Sequence, residues 1–342
     1  MNALKKGFFF IMTSILFVFS SAFGSGDDII WKSGTVVPQG IGFSKQIEGI
    51  LVPGLKAATD GKLIYRVYYG GVMGDEEAII QKIRAGQLQS CGVSVQGSVM
   101  ACPEMGVLAL PFMFNDYGEV DYVKDKMWRI FDELMAKRGL KLLLWLDQGF
   151  DQIYSTRLPL GKLEEFPNAK FITWCGAVEE KFFEKMNTSP IQVGIPEFNS
   201  TIRMGLADCF IGPAIWSIGT QLYAQLKYIN TTNIRYSPGI CIVSVDVWNA
   251  LPATYQENIS KNLGKWQKEF CDDARVSEAK AMKALLGYKG ITEVKMDPET
   301  LSQFRKRTEP VWQEMVGVQY PKEILDMLLA HLQEYRAKKT GK

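Results

Sequence analysis

Over residues 29–37 the apolar positions alternate as in a half-buried strand. Over 44–59 the spacing changes to helical, with Ile47, Ile50, Leu51 and Leu55 on one stripe. Residues 63–69 are rich in β-branched and aromatic side chains and predict a strand. A short amphipathic helix over 75–85 stops at Gly86. A buried strand at 90–95, an apolar segment at 107–113, a helix at 117–138 ending before Gly139 and a strand at 141–146 complete this half. Strands alternating with helices predict an α/β domain with a largely parallel sheet.

A second α/β unit follows. Its strands are predicted at 152–155, 169–174, 191–193 and 208–211, with helices at 177–186 and 196–204 between them. After a strand at 239–245, residues 248–285 read mostly as one long helix with Pro252 near its start. Helices at 298–316 and 322–338 close the chain. The simplest architecture is two α/β lobes joined by several crossings, with a ligand bound between them.

Composition narrows the chemistry. The 342 residues suit about two domains. Lys and Arg number 39 against 37 Asp and Glu, so no basic field exists to attract nucleic acid. His331 is the one histidine, which argues against hydrolytic or metal chemistry. Ser94, in Gly92-Val93-Ser94-Val95-Gln96-Gly97, misses the nucleophile-elbow pattern by one glycine. Gly70-Gly71-Val72-Met73-Gly74 lacks the Gly-Lys-Ser/Thr of a phosphate loop. No residue cluster has metal-ligand spacing, so no catalytic residue, metal or cofactor is expected.

The first residues read as an address. Lys5 and Lys6 precede an apolar run over 7–19 and the small residues Ser20, Ser21, Ala22 and Gly24. That pattern predicts a secretory signal peptide over 1–24, cut near Ala22 to Gly24, and a periplasmic protein. The alternative is an uncleaved anchor, although the run is shorter than the ~20 residues of a membrane span. Six cysteines, Cys91, Cys102, Cys175, Cys209, Cys241 and Cys271, form no C-x-x-C pair. Most sit in apolar strings, which predicts buried thiols, while export leaves disulfides open.

Several strings resemble the extracytoplasmic solute-binding proteins of TRAP transporters, the DctP type. They are Gly74-Asp75-Glu76-Glu77, Ile80-Gln81-Lys82-Ile83-Arg84-Ala85-Gly86 and Leu110-Pro111-Phe112-Met113-Phe114. The likeness continues over 145–155, Pro196-Glu197 to Gly205, Asp208, Tyr236-Ser237-Pro238 and Trp248-Asn249-Ala250-Leu251-Pro252. The resemblance implies a two-lobed periplasmic-binding-protein (Venus-flytrap) fold of α/β class with a long helix spanning both lobes. It implies lobe I at 27–149 plus about 237–276, lobe II at 150–236 plus about 277–320, and a C-terminal helix at 321–342. Hinge closure on a small molecule is implied too. So is delivery to the small and large integral subunits of a TRAP permease. Some relatives work with a tetratricopeptide-repeat accessory protein. A ligand-responsive sensor or scaffold that docks a partner without transport is the other reading of such a cleft.

The pattern breaks where the family holds its ligand. A planar guanidinium suits a carboxylate because two parallel N–H bonds meet two oxygens. The family's arginine falls on Ile172, or on Thr173 if the match shifts by one. A second arginine falls on Asp151, and an assisting asparagine on Gly212. Phe150, Trp174, Phe210, Trp216 and Tyr236 are predicted near the same cleft, with Ser94, Gln96, Gln148 and Asp151 to orient a polar group. A carboxylate there would lack its counter-charge. The expectation is a hydrophobic or amphipathic ligand, and next a cationic or hydroxylated one paired with Asp151.

Overall fold

A computed structural model describes residues 28–174 and 176–341. The expected signal segment and Cys175 therefore lie outside the described residues. The main sheet contains β1 (Ile29–Gly34), β2 (Leu63–Tyr68), β3 (Ser90–Val93) and β4 (Leu140–Ser155). A two-stranded sheet is built from β5 (Ile172–Thr173) and β6 (Ile191–Gln192). The main sheet is completed by β7 (Cys209–Gly212), β8 (Tyr228–Ser244) and β9 (Thr292–Val294). Its order is β2-β1-β3-β8-β4-β7, with β9 also against β8.

The sheet is mixed, which corrects the expectation of a largely parallel one. β1 runs parallel to β2 and β3, and β8 to β9, but β3–β8, β4–β8 and β4–β7 are antiparallel. The cause lies in β4 and β8, which have 16 and 17 residues. Polar residues interrupt the apolar pattern of each, so β4 reads as two short strands, at 141–146 and 152–155, and only 239–245 of β8 reads as a strand, where the structure has one long strand each. The β4–β8 register shifts between Asp147 and Gly149 and again between Asp151 and Ile153. Gly149 takes φ +132°, which L side chains rarely adopt, at the first of these shifts. Pro238, which has no N–H for the ladder, stands opposite Asp147 at the same place.

The predicted long helix is Ala253–Leu286, with Pro252 at its N-cap. Its 34 residues extend about 51 Å. Near its start Ile259 and Trp266 pack with Trp31, Leu55 and Leu143. Near its end Ala281 and Leu285 pack with Tyr154, Phe210 and Ile229. One helix thus belongs to two separate cores. At Gly54 the helix Val52–Ala58 comes so close that a Cβ would lie 2.6 Å from the Trp266 ring. The C-terminal helix Lys322–Lys339 packs Leu325, Leu328 and Leu332 into the core that holds Val120, Val123 and Met127. Cys91, Cys102, Cys209, Cys241 and Cys271 are free and buried. No helix among the described residues is long and apolar enough to cross a membrane.

Candidate functional site: a cleft between the lobes

A cavity of about 80 Å³ lies between the two lobes. One side is formed by the loop after β1 from Thr35 to Phe43, the end of β3 at Gly92 to Ser94, and Leu146 to Gln148 of β4. Gly239 and Ile240 of β8 and Phe270 of the long helix complete that side. The other side is formed by Trp174, Ile195, Pro213, Ile215, Trp216, Gly219 and Thr220. The loop carries Gly40 and Gly42 at positive φ, which lets it turn back over the cavity. A Cβ on Gly219 would lie 3.6 Å from Ile41, and one on Gly42 3.6 Å from Ile215. A methyl group added at either glycine would thus just reach the other side.

The wall is predominantly aliphatic and aromatic. Trp174 and Trp216 stack with centroids 6.1 Å apart, and Phe43 stacks on Phe270 at 6.4 Å. None of the described wall residues is Lys, Arg or His. Two carboxylates are present, Glu76 and Asp147. Glu76 begins the helix Glu76–Arg84, which is capped by Asp75. It accepts the Ser94 N–H and hydroxyl at 2.6 Å each and the Gly97 N–H at 2.7 Å. Burial outweighs these donors and leaves its carboxyl above the ordinary range. Among the described residues, no Lys or Arg forms an ion pair with Glu76.

Asp147 is neutralised from behind. It accepts from Lys124 at 2.7 Å, from Arg275 at 2.8 Å and from the Tyr236 hydroxyl at 2.5 Å. Burial pushes its carboxyl up, but Lys124 and Arg275 outweigh burial and hold it below the ordinary range. Arg275 also binds Asp121, so two cations face two carboxylates. Three residues on, Glu278 accepts the N–H groups of Ala214 at 2.5 Å and Ile215 at 2.9 Å. Those N–H groups open the helix that carries Trp216. Burial raises Glu278 to about 8.

Of the residues singled out from sequence, Ser94, Gln148, Trp174 and Trp216 line the cavity. The Ser94 hydroxyl donates to Glu76, and Gln148 accepts the Val95 N–H at 3.1 Å. The other seven lie outside its wall. Gln96 is half-buried on the next helix, its N–H bound to the Ser94 oxygen. Phe150 packs against Tyr117 and Tyr236, and Tyr236 is fully buried with its hydroxyl on Asp147. Phe210 stacks on Tyr154 within the core at the end of the long helix, and Ile172 is buried in that same core. Gly212 pairs with Gln152 in the sheet.

Asp151 does not face the cavity as an unpaired charge, which corrects its expected role. Its carboxylate binds Arg235 at 2.8 Å and the Ser237 hydroxyl at 2.6 Å. Arg235 also faces Glu179 at 2.9 Å. All three residues are at least 95 % buried. Sequence reading passed over Arg235, although a lone charge in an otherwise buried strand signals a buried partner. It also passed over the loop from Thr35 to Phe43, whose signal was Pro38-Gln39-Gly40-Ile41-Gly42 directly after a strand. Ile215 and Phe270 looked like ordinary core positions.

Comparison with known proteins agrees with this geometry. The family model described as bacterial extracellular solute-binding protein, family 7 (DctP) matches residues 52–318. An uncharacterized Haemophilus influenzae protein is 26 % identical over 222 residues, which cover 62 % of this chain and 64 % of that protein's length. The C4-dicarboxylate-binding periplasmic protein DctP of Vibrio cholerae is 22 % identical over 81 % of each chain. The solved sugar acid binding protein of Advenella mimigardefordensis in complex with galactonate superposes with a TM-score of 0.84. It shares 19 % identity over 90 % of this chain and 99 % of that one. With two cores bridged by one long helix and a cleft between them, this chain belongs to family 7 of the bacterial extracellular solute-binding proteins, the DctP family.

Proposed function

We propose that this protein is exported to the periplasm, captures a small ligand of largely apolar character between its lobes, and passes it to the membrane subunits of a TRAP permease. Ser94, Gln148, Trp174 and Trp216 serve as ligand-contacting residues, together with Phe43, Ile215 and Phe270. The observation that carries the ligand class is the cavity wall, which has aromatic pairs and no cation. The Vibrio cholerae and Advenella relatives are named for a dicarboxylate and a sugar acid. A carboxylate in this cavity would have no guanidinium to receive it, and an uncompensated buried charge costs several kcal/mol. The guanidinium of Arg235 already faces Asp151 and Glu179, and that of Arg275 already binds Asp147 and Asp121.

The free volume sets the size. About 80 Å³ is roughly half of the ~150 Å³ cavity that takes a benzene ring. The cleft in this conformation therefore suits a ligand of a few heavy atoms, and a larger one requires the Ile41 loop to stand further from Ile215. Native mass spectrometry of the protein purified from its own periplasm, followed by extraction, tests the reading. A small, non-acidic adduct is expected. A stoichiometric dicarboxylate or sugar acid would overturn it.

A further inference from the structure

Beside the cleft lies a second, smaller cavity of about 20 Å³. The two share Thr35, Ile47, Gly92, Leu146 and Phe270 as wall, so one layer of residues separates them. Ser33, Leu51, Tyr65, Val67 and Cys241 enclose the far end. The space exceeds the ~10–15 Å³ that one water occupies. Its polar groups, however, are already engaged. The Tyr65 hydroxyl donates to Ser33 at 2.9 Å and accepts from Ser90 at 3.2 Å, and Thr35 Oγ1 accepts the Val37 N–H at 3.3 Å. A buried water needs several polar partners, and none of these groups is left unpaired. The second cavity is therefore a dry, apolar space directly behind the cleft.

Two features of the dividing layer keep that space open. Gly92 stands opposite Cys241 in the β3–β8 ladder, so a side chain there would project to the same sheet face as the thiol. The nearest atom that a Cβ on Gly92 would meet is Thr35 Oγ1, at 4.0 Å. Glycine inside a strand forfeits packing and marks the close approach of another group. Ile47 and Leu51 reach the cavity from a π-helical turn, Ile47–Leu51, set between two α-helical segments. Such i→i+5 turns are rare and recur at functional sites.

We propose that the second cavity is a subsite for the ligand's tail: the ligand is a slender, unbranched apolar molecule whose tip, about two carbons, passes Gly92 and Phe270 into it. This rests on the apolar reading of the cleft and adds the shape of the ligand. A branched isomer of the same composition fills the cleft but leaves the second cavity empty.

Two isomeric alcohols, 1-pentanol and neopentyl alcohol, separate the alternatives. Titration calorimetry of the wild-type protein is expected to give 1-pentanol at least about tenfold tighter. Gly92→Ala and Val67→Ile each add one carbon to the second cavity's wall, and each is expected to lower that preference at least about threefold. Val67→Ile keeps the test decisive should Gly92→Ala fail to fold. In crystals soaked with 5-bromo-1-pentanol, anomalous scattering is expected to place bromine beside Leu51 and Val67. Equal binding of the isomers, a preference unchanged in both variants, or bromine only outside the second cavity overturns the subsite and leaves the apolar cleft standing. Binding of neither alcohol overturns both.

Discussion

Replacing Glu278 with glutamine isolates one proton that the fold retains. The wild-type carboxyl titrates near 4.5 when unfolded and at about 8 in the folded protein, because burial disfavours its charged form. Between those values the native state holds a proton that the unfolded chain has released. Its contribution to stability is therefore complete below pH 4.5, falls as pH rises through the window, and is gone above about 8. At 1.36 kcal/mol per pH unit, the window of about 3.5 units corresponds to about 5 kcal/mol. Glutamine cannot ionise, so Glu278→Gln removes this slope whatever it does to stability at one pH. Its amide oxygen still accepts one of the two N–H groups at Ala214 and Ile215. Asp147 and Glu119, whose carboxyls lie below the ordinary range, lose their contributions only at more acidic pH. Urea unfolding of both proteins from about pH 5 to about pH 9 reads the difference directly. The stability of the wild type minus that of the variant is expected to fall across this range by several kcal/mol. A difference that stays constant would refute the buried, proton-holding Glu278.

Two substitutions test the packing around the cleft. Arg235→Met removes the cation that Asp151 and Glu179 face, and is expected to cost about 3–5 kcal/mol in urea unfolding; a loss below about 1 kcal/mol would count against the buried triad. Gly54→Ala places a methyl group 2.6 Å from the Trp266 ring. Despite alanine's better helix propensity of about 1 kcal/mol, a net loss of about 1–2 kcal/mol is expected, and a gain in thermal midpoint would contradict the close approach of the two helices.

Much of this architecture was legible in the sequence, and the exceptions share a cause. Helices such as Tyr117–Ala136 and Lys322–Lys339 declare themselves through their apolar stripe and clear ends. The long helix was legible too, since Pro252 at its start fits the N-terminal position where no N–H partner is needed. β4 and β8 were not, because Asp147, Asp151, Arg235 and Ser237 break the apolar pattern of strands whose pairing continues past them with shifts of register. Their burial depends on partners far along the chain, Asp151 with Arg235 and Asp147 with Lys124 and Arg275. A periodicity reading does not see such pairs. The same limit misplaced Asp151: a charge in the cleft region was visible, but the arginine that neutralises it was not. Trp174 and Trp216 were found because they lie close along the chain to Ile172 and Gly212, where the family's polar anchors fall. The Thr35–Phe43 loop was missed because its role comes from turning over the cavity rather than from its residue types.

The central claim is that the cleft receives its ligand through aromatic and apolar contacts with no arginine grip. A crystal structure of the protein carrying the ligand it brings from its own periplasm tests this most directly. The account predicts density for a small molecule without a carboxylate, bounded by Trp174, Trp216, Phe43 and Phe270, with Arg235 still on Asp151 and Glu179. A carboxylate in that density, with Arg235 turned away from Asp151 to bind it, would contradict the account.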